Sequence, residues 1–600
     1  MVYPFSSLRG GQSAVAPTGA FQMDRVNEGQ DWLNPQCRIA GVLAPVFSLR
    51  SKGDQGIGDT HSLIELIDWA ARMGFGLVKT LPVNETGRDN SPYNAISSIA
   101  LDPCLLRVTP EAITDLSRDD YARITAATQT QLSERVHYHR VKADKLALLR
   151  AAFSRFIARA GMDRSASEPF ASFVAENIDW IEDYALFRAI SDMNGPDWTQ
   201  WPAHFASPTA ARKYRADRPD LGQLLDNQCA FYQYVQWQAA LQWQTVHEHA
   251  TRCGVALMGD IPFGVNFYSA DVWAERDLFL VDWSCGTPPD EFFTHDQFVR
   301  TIGQNWGIPL YDWERMRADD LRWWRRRVRR NRRYFDSLRI DHVLGCYRIY
   351  AFPWRPERNS EFLGLTKAQI AERSGGRTPR FFPASDEDSL DAASNRSSGE
   401  AILRKLLEES GPNRLIGEDL GLMPPYVRQS LEKLGIAGYR VPQWEKTADG
   451  NLANGASYPR LSVTMYGTHD HDPLKSVWRI MVEAQISGDP ASIREFEAFC
   501  RYAEISAPPD RRFSSEVHAA LIYALFASNA WMAVVQIADI FGWEERINLP
   551  GTSNEENWTC RLPCPVGQLH QQKGSPDIRA LVKRSGRLRS GAQRNRDMSD

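Results

Sequence analysis

The chain has 600 residues, 43% of them hydrophobic and 24% charged, with a formal net charge of −4; that size allows one very large domain or several ordinary ones, and that balance gives no general electrostatic reason to bind nucleic acid or an anionic membrane. No run of roughly 18 apolar residues occurs, and Met1 to Gln30 lacks a charged start followed by an apolar stretch, so neither a membrane span nor a secretion signal is expected. Nine scattered cysteines, an odd number, point to free thiols in a reducing compartment, and a cytoplasmic location is expected.

Residues 1–35 are rich in Gly, Ser and Gln and read as an N-terminal arm. The first strand is expected from Arg38 to Val46. A Gly-rich loop follows, then Asp59 as helix cap, an amphipathic run (Leu63, Ile64, Leu66, Ile67, Trp69, Ala70) and Gly74 as its stop. Strand two is expected from Phe75 to Val83, followed by a polar loop carrying Ser91-Pro92-Tyr93. Over 105–225 the pattern turns helical and strand signals vanish, which reads as a helical insertion.

Strand three is expected from Val255 to Asp260. The connection 261–313 is far longer than the few residues usual between a strand and its helix, and it reads as an active-site loop. Strand four, Ser337 to His342, follows a helix holding Arg325, Arg326, Arg327, Arg329 and Arg330; in an acidic chain that stripe is read as a solvated outer face rather than a nucleic-acid site. Residues 356–399 read as a surface flap. Strands five to eight are expected from Arg414 to Asp419, Gly438 to Gln443, Ser462 to Asp470 and Trp531 to Ile537. The tail 566–600 is basic and polar and reads as flexible. Eight short strands separated mainly by helices match an α/β (β/α)8 barrel over 36–565, with helical and loop insertions.

In such a barrel the C-terminal strand ends meet at one mouth, which would bring together Asp260, Asp341, Glu418 and Asp470. Retaining chemistry at a glycosidic bond needs a carboxylate nucleophile and a protonated carboxyl group about 5 to 5.5 Å apart. Taken singly, these acids could be helix caps; taken together, the catalytic reading prevails. Arg339, two residues before Asp341 on the same side, can bond Asp341 and hold its pKa down. His469-Asp470-His471-Asp472 could bind a metal, but strand alternation would send the two His one way and the two Asp the other, so a shared metal is the weaker reading.

Gly259-Asp260-Ile261-Pro262, Ser269-Ala270-Asp271-Val272-Trp273, Pro288-Pro289-Asp290, Gly303-Gln304-Asn305-Trp306-Gly307, Arg339-Ile340-Asp341-His342, Gly417-Glu418-Asp419-Leu420-Gly421 and Gly467-Thr468-His469-Asp470 together resemble the 4-alpha-glucanotransferases (amylomaltases, or disproportionating enzymes) of glycoside hydrolase family 77. Ser91-Pro92-Tyr93 and Arg546 to Thr552 resemble the same family. The resemblance implies a catalytic set of Asp341 (nucleophile), Glu418 (acid/base) and Asp470 (transition-state stabiliser). It implies sugar contacts from Tyr93, Asp260, Asp290, Gln304, Trp306, Arg339 and His469, with no metal and no organic cofactor. The partners it implies are a maltodextrin or glucan donor and a sugar acceptor. An alpha-glucan hydrolase on the same barrel and a noncatalytic glucan-binding protein are the alternatives. Phe267-Tyr268 and Val343-Leu344-Gly345-Cys346 depart from the common family pattern and look more like the branch containing the plant cytosolic disproportionating enzyme.

Overall fold

A computed structural model describes residues 33–588, apart from 88, 127–132, 291–295, 507–510, 553–554 and 573. The N-terminal arm therefore lies almost wholly outside the described residues, as does the end of the tail.

Among the described residues twelve strands run in chain order: β1 Ile39–Leu43, β2 Leu77–Lys79, β3 Ala256–Ile261, β4 Phe279–Thr287, β5 Gln304–Tyr311, β6 Ser337–Ile340, β7 Ile349–Phe352, β8 Arg380–Phe382, β9 Leu415–Gly417, β10 Gly438–Arg440, β11 Ser462–Thr464 and β12 Met532–Gln536. Eight of them form one sheet in the order β10-β11-β12-β1-β2-β3-β6-β9, every pairing parallel. The ring closes where the Gly417 N–H donates to the Ala437 carbonyl at 2.9 Å, beside the parallel bridge from Ile416 to Ala437. Each of the eight expected strands contributes one stave of this barrel. Their interior residues are buried on both faces, which is why a parallel barrel strand reads as a nearly continuous apolar run.

The outer helices start and stop where the sequence signals them. The helix Thr60–Met73 is capped by Asp59, whose carboxylate accepts from the Ser62 N–H, and it ends at Gly74 with φ 86°. Between β2 and β3 lie the helices Arg118–Thr125, Tyr138–Met162, Glu168–Glu176, Ile178–Asn194, Pro208–Asp217 and Pro219–Cys253. The last of these begins inside the segment read as an insertion and carries on without a break as the barrel helix that precedes β3. The Arg-rich helix Arg322–Asn331 faces protein partners rather than water alone. Arg325 and Arg329 pair with Glu409, Arg326 with Glu275 and Arg330 with Asp179, while Arg327 donates to the carbonyls of Phe263 and Gly264.

Two segments depart from the sequence reading. The long loop after β3 and the flap 356–399 are not separate irregular elements: β4 and β5 from the loop and β8 from the flap join β7, which lies just before the flap, in one antiparallel sheet ordered β5-β4-β7-β8. The tail, read as flexible, is packed through Arg587. It forms the helix Ile578–Arg584, buries Val582, and sends the Arg587 guanidinium among the carbonyls of Ile39, Phe526, Ser528, Ala530 and Trp531 at the strand-start side of the barrel. No helix among the described residues is long and apolar enough to cross a membrane.

Candidate active site

Parallel register fixes the centre of the site. Asp260 on β3 sits opposite Arg339 on β6, and the Arg339 guanidinium bonds Asp260 at 2.7 Å and Asp341 at 2.8 Å through the same nitrogen, Nη1. Its second nitrogen, Nη2, stands 3.9 Å from Glu418 Oε2. Glu418 directly follows β9, and its N–H donates to the Ile340 carbonyl at 3.0 Å, so β6 and β9 hold their two terminal acids side by side.

On the other flank the Lys79 ammonium, from β2, pairs with Asp260 at 3.0 Å while almost fully buried. The Tyr93 hydroxyl donates to the same carboxylate at 3.0 Å, and its ring stacks on His469 with centroids 4.6 Å apart and planes 18° from parallel. His469 Nε2 stands 3.2 Å from Asp470, whose other oxygen accepts from Asn548 at 2.6 Å. A continuous set of polar contacts thus runs from Asn548 through Asp470, His469, Tyr93, Asp260 and Arg339 to Asp341, with Glu418 beside it. Of the four acids predicted at the barrel mouth, Asp260, Asp341 and Asp470 are on this line and Glu418 adjoins it.

The electrostatics separate the acids. Burial pushes the Glu418 carboxyl up to about 7, with the Asp341 charge adding to it and Arg339 and two backbone N–H groups opposing. Those N–H groups belong to Leu420 and His342, at 2.9 and 2.8 Å. Asp341 is also raised: burial leads, Asp260 and Asp470 add to it, and Arg339 pulls the other way. The bond from Arg339 is present and lowers Asp341, but the expectation that it would hold Asp341 down is corrected, because loss of solvent outweighs the ion pair. The 2.8 Å contact of Arg339 to Asp341 against 3.9 Å to Glu418 favours the anion on Asp341 over the anion on Glu418. For Asp470 burial is outweighed by His469, Asn548 and His471, so its carboxyl falls well below the usual range. Asp260 falls too, burial being overcome by Arg339 and Lys79.

The alternation argument for His469 to Asp472 does not hold locally. β11 ends at Thr464, the residues around 470 form a turn, and His469 touches Asp470 directly. His471 turns back to accept from the Thr468 N–H at 3.0 Å, and burial lowers its pKa to about 4. Trp306, on β5, meets the His342 ring edge-on at 4.9 Å and 87°, which brings the second sheet to the rim of the mouth. Gln304 pairs with Thr287 in that sheet, and Asp290 lies in the connection after β4, where its N–H donates to the Val299 carbonyl of the helix Gln297–Thr301; neither is at a strand end of the barrel.

Four neighbours of the acids were not singled out from the sequence. Lys79 was visible as a lone cation inside the apolar run Leu77-Val78-Lys79-Thr80-Leu81. His342 and Asn548 lay in quoted motifs but carried no assigned part. Trp558, whose ring lies 5.8 Å from that of Tyr93 and 5.5 Å from that of His469, comes from a loop that no periodicity marks.

The family model for glycoside hydrolase 77, 4-alpha-glucanotransferase, matches residues 44–566. The chain belongs to that family. Among curated relatives, the 4-alpha-glucanotransferase of Chlamydia caviae is 30% identical over 542 residues, covering 88% of this chain and 91% of that protein. The rice 4-alpha-glucanotransferase DPE2 is 35% identical over 324 residues, which is 53% of this chain and 32% of that longer protein. Among solved structures, an amylomaltase from Streptococcus agalactiae in complex with acarbose superposes with a TM-score of 0.72 at 21% identity, over 92% of this chain and 100% of that one. The (β/α)8 barrel of this 4-alpha-glucanotransferase is the fold of that amylomaltase.

Proposed function

We propose that this 4-alpha-glucanotransferase moves alpha-1,4-glucan segments between maltodextrins, or onto glucose, by a retaining double displacement. Glu418 gives its proton to the glycosidic oxygen as that bond breaks, and an Asp341 oxygen forms a bond to the anomeric carbon on the opposite face. Glu418, now ionised, takes the proton of an incoming sugar hydroxyl whose oxygen then displaces Asp341. Asp470, kept ionised by His469 and Asn548, stabilises the positive charge that develops on the sugar ring, and Arg339 holds Asp341 as an anion before it attacks and again as it is displaced. Tyr93, Asp260, Asp290, Gln304, Trp306, Arg339 and His469 are assigned to sugar contacts.

The observation that carries this reading is the unequal hold of one guanidinium on two neighbouring acids, at 2.8 and 3.9 Å, which leaves an anion and a proton donor side by side. Nine free thiols are consistent with work in the cytoplasm. Incubation with maltotriose provides the test. A ladder of longer maltodextrins plus glucose is expected; short products with reducing ends rising in step would indicate a hydrolase instead, and binding without any product a noncatalytic protein.

A further inference from the structure

On the outside of the barrel, helix Thr60–Met73 packs against helix Pro219–Cys253. Three chemically distinct side chains converge there. His249 and Cys253 lie one helical turn apart, hence on one face, and Asp68 reaches across from the neighbouring helix. His249 Nε2 is 2.7 Å from Asp68 Oδ1, Cys253 Sγ is 3.5 Å from the same oxygen, and Sγ is 3.4 Å from Nε2. With zinc bonds of about 2.0 to 2.3 Å, the edges of a tetrahedral ligand set are roughly 3.3 to 3.6 Å long. Both sulfur edges already have that length, and only the His–Asp edge has to open, by roughly 0.6 Å. We propose that Asp68, His249 and Cys253 form a zinc site with one position left for solvent, clipping the helix after β1 to the helix before β3.

Two other uses of these groups fit less well. A nucleophilic triad needs the imidazole to hold thiol and carboxylate with opposite nitrogens, whereas here Nε2 faces both. A plain His–Asp ion pair accounts for the 2.7 Å contact but gives no reason for a thiol within 3.5 Å of each partner. The mixed sulfur, nitrogen and oxygen set suits a borderline-soft divalent ion and excludes magnesium and calcium, which take oxygen ligands. Binding replaces the Cys253 S–H bond with a metal–sulfur bond and releases the proton to solvent. Cys253 ends its helix just before β3 begins, so the site lies on the strand-start side of the barrel, away from the catalytic mouth. It is a structural clip, independent of the proposed transfer chemistry.

The test uses the full chain stripped with a chelator and titrated with Co2+, a zinc substitute that reports thiolate ligation as a charge-transfer absorption. One equivalent is expected to saturate that band, and Zn2+ to abolish it by displacement. Cys253→Ser should remove the band, and His249→Ala and Asp68→Ala should each weaken binding by more than tenfold, whereas Cys37→Ser leaves it intact. Excess Zn2+ should raise the melting temperature of the unaltered chain but not of Cys253→Ser, whose conversion of maltotriose stays that of the unaltered chain. Absence of the band, its survival in Cys253→Ser, or undiminished affinity in His249→Ala overturns the proposal.

Discussion

The backbone N–H of His342 donates to the Glu418 carboxylate at 2.8 Å. The residue directly after the proposed nucleophile thus holds the proposed acid, and a displacement of either strand end moves both groups together. His342 sits at φ 43°, a left-handed backbone uncommon outside glycine, and this turn is what aims its N–H at Glu418.

That arrangement makes the reaction sensitive to pH in a stated direction. Glu418 is raised to about 7, and with its proposed first role as a proton donor kcat/KM should fall as pH rises through about 7. The same shift bears on folding. Between the ordinary value of 4.5 and about 7 the folded chain keeps a proton that the unfolded chain has released, so Glu418 makes the fold less stable as pH rises across that window. Glu418→Gln should slow transfer by about 10² to 10⁴-fold and remove this alkaline limb from the residual activity. A limb near pH 7 that persists in the variant would assign the ionisation to another group.

Lys79 and Asp260 are both buried, and their pairing is the floor beneath Arg339. Replacing Lys79 by Met leaves Asp260 to share a single cation with Asp341. We expect a loss of about 3 kcal/mol in stability, measured by urea unfolding, together with a lower kcat. The double variant Lys79→Met/Asp260→Asn should recover part of the stability but not the activity. Additive losses of stability would show that the two side chains are not coupled.

Asn548 is the second partner of Asp470 and donates to it at 2.6 Å. A hydrogen bond to a charged group contributes about 1.5 to 3 kcal/mol, so Asn548→Ala should cut kcat by roughly 10 to 100-fold. If Asp470 acts on the transition state, KM for maltotriose should change far less than kcat. A loss confined to KM would reassign the pair to ground-state sugar binding.

The eight barrel strands were legible because each is covered on both faces and written as an apolar run. Asp341 and Glu418 were legible because acids at strand ends are conspicuous in such a pattern. The second sheet was hidden by its own chemistry: β4 alternates buried and exposed residues irregularly, its pairing with β5 shifts register twice, and Pro309 occupies a strand position opposite Ser284 at one shift. Asn548 and Trp558 reach the site from loops after β12, where only tertiary packing sets their position. The tail failed for a third reason. Its composition is polar, yet Arg587 is fully buried because five carbonyls at the strand-start side accept from it. Arg587→Ala takes away the donor these carbonyls share, although those of Trp531 and Ser528 keep another, and a loss of about 3 kcal/mol is expected in thermal or urea unfolding. Unchanged stability would return the tail to the loose segment its composition suggests.

Transfer prevails over hydrolysis when an acceptor sugar is ordered and water is not. Trp306 is the half-buried aromatic that the second sheet brings to the mouth, set edge-on to His342, whose ring also meets Phe263 at 6.2 Å. A sugar face stacked on an indole gains on the order of 1 kcal/mol, and an acceptor held that way loses most of its advantage over water when the ring is removed. Trp306→Ala should therefore raise the ratio of new reducing ends to redistributed chain by about fivefold with maltotriose as substrate, while donor cleavage declines less. The same variant supplied with a large excess of glucose should regain transfer, because mass action replaces the lost hold on the acceptor. A ratio that stays put, or one that glucose does not restore, would show that acceptor ordering resides elsewhere on the rim.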